Sequence, residues 1–312
     1  MSRIPGGALH ESAGLILVLA LLVALFSVTT DHFLSGVTFT TLANQLPALA
    51  VIVVGMTLVL IAGGIDLSVG SVMALCAAVL GVTLTRWHWP LPLALSACVG
   101  AGVLAGFANG LLTVRWAIPS FIVTLGMLEV ARGGAYVVTD SRSVFVGSAL
   151  DGIGAPLSGI GLSPAFLVAV LLVVGGQVLL TRTVFGRYLV AIGTNREAVR
   201  LAGIAPAPVE VAVFTLSGAL AGLAGIFHVA YLESVDPNGG IGLELSAIAA
   251  VVIGGTSLMG GRGSVVASFI GVLIIVVLQA GLAQVGATEP TKRIVTGLVI
   301  IAAVIADATR RR

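Results

Sequence analysis

Residues 57–75 read TLVLIAGGIDLSVGSVMAL, and this stretch decides the fold. Two apolar runs flank the pair Gly63-Gly64 and a single carboxylate, Asp66. A carboxylate beside two long apolar segments is costly if it faces lipid, so it must lie near an interface, be paired, or be used. Asp66 or Ser68 is placed to cap the helix that starts near Leu67, where amide donors otherwise lie open. The two glycines permit a sharp turn or close packing. The leading reading is structural, a capped break beside a pathway. The alternative is direct contact between Asp66 and a transported solute.

Outward from this stretch, the whole chain has the same character. Of 312 residues, 15 are Lys or Arg and 13 are Asp or Glu, so 9% are charged while 58% are hydrophobic. Soluble domains carry about 25% charge, and this chain lacks the material to cover a water-facing surface. It reads as an integral membrane protein, all-α and polytopic, forming a single transmembrane domain over 1–312. Strand barrels are excluded by apolar runs far longer than the alternating segments of about ten residues that barrels show. Ten apolar segments are predicted to be membrane helices: 13–29, 41–61, 67–85, 91–113, 117–138, 164–181, 207–230, 246–259, 264–285 and 293–308. The segment 246–259 is short for a full crossing, which leaves it tilted, broken, or joined to its neighbour through Gly254 and Gly255. The first segment is read as a retained span, not a cleaved signal.

Arginine placement orients these segments. With a cytoplasmic N-terminus, the inside connections hold Arg3, Arg115, Arg182, Arg187, Arg196, Arg200, Arg262, Arg310, Arg311 and Arg312, against Arg86, Arg142, Lys292 and Arg293 outside. Ten against four satisfies the positive-inside rule and puts both termini in the cytoplasm. The outside loops are then 139–163 and 231–245, and the main cytoplasmic loop is 182–206. An echo relates VLIAGGIDLSVGS at 59–71 to VVIGGTSLMGGRGS at 251–264, the expected mark of a two-half pseudo-repeat.

The residues that carry chemistry are few. No G-x-x-x-x-G-K-[ST] phosphate loop and no H-E-x-x-H motif occurs, and His10, His32, His88 and His228 are scattered. Cys76 and Cys98 lie in apolar segments as small buried hydrophobes. Catalytic residues and a metal site are therefore not expected. In the cytoplasmic loop, Gly193-Thr194-Asn195-Arg196-Glu197-Ala198-Val199-Arg200-Leu201-Ala202-Gly203 predicts a short helix, with Asn195 as its cap and Gly203 at its end. Ala198, Leu201 and Ala202 make a small apolar face on which another protein could sit; the competing reading is a solvated connector. Glu129 and Arg132 lie three apart on one helix, able to pair or to face a wet cavity. Gly102, Gly106 and Gly110 recur every fourth residue, as do Gly218 and Gly222, which suits close helix packing, with Asn109 as interhelical glue.

Three segments carry a family resemblance: residues 57–75 above, FGRYLVAIGTNREAVRLAGI at 185–204, and VIGGTSLMGGRGSVVASFIGVLII at 252–275. Together they resemble the membrane permease subunit of ATP-binding cassette importers, in the group of ribose, xylose and related monosaccharide permeases. The resemblance covers nearly the whole chain, and its glycine-rich first stretch points to the sugar branch. It implies a bacterial inner-membrane protein with three kinds of protein partner besides the lipid. These are a second permease chain (a homodimer or a close paralogue), cytoplasmic ATPase subunits, and a periplasmic or lipid-anchored sugar-binding protein. The 193–203 helix would be the coupling helix, ATP and Mg would sit on the ATPases, and this chain would hold no cofactor. The outside loops would receive the binding protein, and Asp66, Ser68, Asn109 and Glu129 are candidates near the solute path. No nucleic-acid partner is implied. The competing functional classes are an ion-coupled secondary transporter and a scaffold or receptor-like membrane protein. Within the importer class, a polyol, a nucleoside or a signalling sugar derivative is an alternative cargo.

Overall fold

A computed structural model describes residues 7–310. Among the described residues the helices are α1 (Gly7–Thr29), α2 (Gly36–Gln45), α3 (Pro47–Ile61), α4 (Val69–Thr85), α5 (Leu91–Trp116), α6 (Ser120–Thr139), α7 (Asp151–Gly154), α8 (Pro164–Arg182), α9 (Val184–Leu201), α10 (Pro206–Leu232), α11 (Leu243–Ile253), α12 (Val265–Gln284) and α13 (Glu289–Arg310). Two short strands, β1 (Val144–Phe145) and β2 (Ser234–Val235), pair antiparallel. Arg3, Arg311 and Arg312 of the orientation argument lie outside the described residues.

The expected ten full spans are not what forms. Among the described residues, five helices are long and apolar enough to cross a membrane: α5, α6, α8, α10 and α12. The pair α2–α3 makes a sixth if counted as one span, bent by 46°. That bend breaks the expected segment 41–61 at Leu46, where Pro47 supplies no amide and its ring crowds the preceding turn. Among the described residues three apolar helices are shorter: α4 (17 residues), the apolar part of α1 (Ala13–Thr29) and α11 (11 residues). At about 1.5 Å rise per residue, α11 reaches roughly half of a ~30 Å hydrocarbon core, and it stops at Gly254-Gly255, where Gly255 turns left-handed.

The hub is α3, all fifteen of whose residues are buried. It is apolar on every side because α8, α10, α11 and α12 surround it. Against it α10 also meets α5, and there the glycine rows face each other. A methyl group at Gly102 or Gly218 would collide with the other's carbonyl oxygen, and one at Gly222 would stand 2.9 Å from the Val99 Cα. Gly106 meets the Phe214 carbonyl in the same way, and Gly110 lies under Val211. Backbone touches backbone along this whole contact.

Polar side chains close the helix ends. Ser163 caps α8, Thr183 caps α9 and Ser264 caps α12. Gln177 of α8 reaches across to accept from the Val265 amide at 2.8 Å, satisfying a second free donor at the start of α12.

The connections gather on two faces. On one, β1 of the 139–163 loop pairs with β2 of the 231–245 loop, and Arg86 meets Asp140 at 2.6 Å. Arg132 donates to the carbonyls of Pro237 and Gly239, and Asn44 holds the backbone of Gly161 and Ser163. On the other face lie the α3–α4 turn, the α11–α12 turn and α9. The expected loop 182–206 is therefore mostly helix.

Candidate functional site

On the second face three backbones converge. The Gly261 amide of the α11–α12 turn donates to the Ile61 carbonyl at the end of α3, at 2.9 Å. Gly193 of α9 lies against both. A methyl group there would collide with the Ile61 oxygen and stand 2.6 Å from the Gly261 nitrogen. A methyl group at Gly260 would be 3.0 Å from the Cα atoms of both Gly193 and Gly63. Gly63, Gly260 and Gly261 all have positive φ, a conformation that glycine adopts without steric cost. The two stretches that echo each other in sequence thus supply the two turns, and a third glycine wedges α9 between them.

Directly after Gly193 the helix α9 breaks. Asn195 leaves helical geometry (φ −160, ψ 97), and its side-chain oxygen accepts from the Ala198 amide at 2.9 Å. Asn195 is thus the cap of a new helical turn, and Gly203, at φ +81, follows its end. The helix expected over 193–203 is shorter than read. Gly193 and Thr194 belong to the preceding segment, and only 196–201 form the new helix. Val199 is its buried anchor, while Glu197, Ala198, Arg200 and Ala202 are exposed, and Leu201 is 78% exposed. Arg196 makes a two-pronged bridge to Glu210 of α10, at 2.6 and 3.0 Å. The Glu210 hydrogen bond raises the already high pKa of Arg196, so the guanidinium stays charged. Arg200 pairs with Glu197 at 2.6 Å, which leaves the exposed surface nearly neutral.

Asp66 lies beside this junction. It is 1% exposed and fully engaged. One carboxylate oxygen accepts from the Ser68 amide at 3.0 Å and the Ser68 hydroxyl at 2.6 Å, the other from the Ser217 hydroxyl of α10 at 2.9 Å. Ser68 occupies the cap position of α4, yet no side-chain cap bond forms, because its hydroxyl is turned to Asp66 and accepts from Asn109 at 2.9 Å. The expected cap is instead a local turn tied to α5 and α10. Ser120 and Thr124 of α6 complete it by accepting from the amides of Ile65 and Leu67. The Asn109 Oδ1 and Thr113 Oγ1 atoms, one helical turn apart, are buried without a hydrogen-bond partner among the described residues. Thr113, Ser120, Arg196 and Glu210 line a cavity of about 290 Å³ between this turn and the 196–201 helix.

Glu129 is apart from these groups. It is exposed on α6, and Arg132 is engaged by the Pro237 and Gly239 carbonyls, so of the two readings of Glu129 and Arg132 the mutual pair does not form. At the opposite face a cavity of about 790 Å³ is lined by Met73, His228, Tyr231, Gln279 and Lys292. No group of three or more His, Cys, Asp or Glu placed to hold a metal ion occurs among the described residues. Sequence reading missed Ser217, Glu210 and Gln177. Each is a polar residue in an apolar helix, a signal that was visible but had no partner until the fold brought one.

Residues 38–304 match a family described as the permease component of the branched-chain amino acid transport system. The chain is 36% identical over 299 residues to the ribose import permease protein RbsC of Escherichia coli (strain K12), covering 94% of this chain and 92% of that one. To the ribose import permease protein RbsC of Bacillus subtilis (strain 168) it is 37% identical, covering 98% and 95%. To the L-arabinose ABC transporter permease protein AraH of Azospirillum brasilense it is 34% identical, covering 99% and 92%. No solved structure matches. The near-complete coverage of these relatives, on a helical chain with long apolar spans, shows that this protein belongs to the multi-pass membrane permease family of ATP-binding cassette importers.

Proposed function

We propose that this chain forms half of the translocation pathway of a monosaccharide importer, with ribose or a similar sugar as cargo. It pairs with a second permease chain, takes solute from a sugar-binding protein at the outer loops, and is driven by two cytoplasmic ATPases. Its termini lie in the cytoplasm. The names of its relatives support the cargo. The loop contacts Arg86–Asp140 and β1–β2 favour one landing surface made from both outer loops.

One observation carries the coupling role: the capped 196–201 helix, exposed on its outer side, stands directly after a glycine wedged between both helix turns. A push on that helix is passed on to both turns, because on its inner side Gly193 is in backbone contact with Ile61 and Gly261. The push moves the α3–α4 and α11–α12 turns together, and with them helices from both parts of the chain. ATP-driven closure of the ATPases would then exchange inward-facing and outward-facing arrangements. Asp66, Ser68, Asn109 and Ser217 keep the moving turn rigid, and the path itself binds solute weakly so that release stays fast.

The test is uptake by proteoliposomes holding this chain with its ATPase. ATP-dependent ribose accumulation that vanishes without the ATPase supports the reading. Accumulation that persists without ATPase and collapses with an ion gradient refutes it.

A further inference from the structure

The cavity of about 790 Å³ lies between the first turns of α13 and the ends of α3 and α10. Its volume is that of a ligand pocket, not of a packing defect. Three carboxylate, ammonium or guanidinium side chains line it: Glu289, Lys292 and Arg293. Lys292 is the only lysine in the sequence, and with Arg293 it forms the pair of cations that runs against the positive-inside pattern. One carboxylate serves both. Glu289 stands 3.5 Å from the Lys292 Nζ and 3.9 Å from the Arg293 Nε, so a net positive charge remains on this wall. Lys292 is the more enclosed, 25% exposed on its side chain against 70% for Arg293. The side-chain amides of Gln45 and Gln279 also line the cavity and make no hydrogen bond among the described residues. Much of the remaining lining is apolar. Leu232, Ile241 and Leu245 belong to it and are exposed, so the cavity runs out onto apolar surface.

We infer that this cavity holds an anionic phospholipid, with its phosphate at Lys292 and Arg293 and its acyl chains against Leu232, Ile241 and Leu245. An ammonium and a guanidinium give a phosphate charge-assisted hydrogen bonds, and the free amides of Gln45 and Gln279 donate to the remaining phosphate and glycerol oxygens. Basic pockets between membrane helices recognise lipid headgroups by this charge. A neutral sugar would leave the wall's positive charge uncompensated, and a free phosphate would leave the apolar part empty. A second copy seated here by a two-fold axis would present the same cations. The lipid fills the gap between α13 and α3 and so seats α13 on the rest of the chain. Its leaflet, the outer one, rests on the orientation proposed above; the site does not.

The test uses the purified permease–ATPase complex in neutral detergent, with Thr296→Cys as a reporter in the cavity wall. Cys76 and Cys98 are 0% exposed and give little background. Phosphatidylglycerol is expected to slow the reaction of this cysteine with a small maleimide, whereas phosphatidylcholine and inorganic phosphate leave the rate unchanged. Adding Lys292→Gln is expected to raise the phosphatidylglycerol concentration required about fivefold, the worth of one cation near an anionic lipid. Lys292→Arg, and Arg142→Gln at an exposed site away from the cavity, are expected to behave as the parent. Retention of one phosphatidylglycerol per permease chain in native mass spectrometry reads the same site without a reporter. Equal protection by phosphatidylcholine, or protection undiminished when Lys292→Gln and Arg293→Gln are combined, overturns recognition by charge. Equal protection by inorganic phosphate overturns the lipid as occupant. Neither protection nor retention overturns the site, and ATP-driven uptake by the same complex then shows that the importer reading stands without it.

Discussion

Two spaced sets of glycines, Gly102, Gly106 and Gly110 in α5 and Gly126 and Gly133 in α6, have opposite surroundings. In α5, Gly102, Gly106 and Gly110 touch the backbone of α10, so this contact is completed within one chain. In α6, Gly126 and Gly133 face open space, beside a carboxylate with no partner among the described residues. Small residues permit close approach in both helices, but only the first row has something approaching it. The contrast separates a helix pair that holds the fold from a helix face left for something outside the chain.

The sharpest way to break this contrast is to add one methyl group to each row. Gly218→Ala places a methyl against the Gly102 carbonyl and 2.8 Å from the Gly106 Cα, where two long helices would have to part. A loss of more than about 3 kcal/mol is expected, read as a collapse of folded yield in detergent. Gly133→Ala meets nothing and is expected to stay within about 0.5 kcal/mol of the parent. Equal yields would remove the distinction.

Gly193→Ala tests whether the junction of the three turns resembles the α5–α10 contact. Its methyl collides with the Ile61 oxygen, and because turns yield more readily than packed helices, about 2–3 kcal/mol is expected. The surviving protein should hold the ATPase but move less sugar for each ATP hydrolysed. Asp66→Ala leaves the Ser68 and Ser217 hydroxyls without their acceptor and is expected to cost about 1–3 kcal/mol in thermal unfolding. Normal stability with selectively lost uptake would move Asp66 from the scaffold to the path. The smallest effect is expected from Glu210→Gln. Arg196 is 54% exposed on its side chain, so the bridge is worth about 0–1 kcal/mol. Its loss should loosen coupling more than stability.

Much of this was legible in the chain itself. Composition identified a helical membrane protein, and the glycine spacing of α5 and α10 marked rows that the structure brings together. Asn195 as a helix cap and Gly203 after the helix end were readable because capping depends on neighbouring residues alone. The number of spans was not readable, because hydropathy does not register the bend at Pro47, whereas the short segment ending at Gly254-Gly255 was marked by its glycines. Nor was the role of Asp66 as a tie between α4, α5 and α10. Ser217 lies 151 residues away, and no local pattern announces it. Glu129 was noticed as a charge, but its pairing with Arg132 depended on where Arg132 turned, and the 231–245 loop captured it.

The most direct test concerns the exposed turn at 196–201. A cysteine at Ala198→Cys should react with an impermeant thiol reagent only from the cytoplasmic side, and binding of the ATPase subunit should block that reaction. Labelling from the outside, or labelling unchanged when the ATPase is bound, would contradict the claim that this chain is driven through that helix.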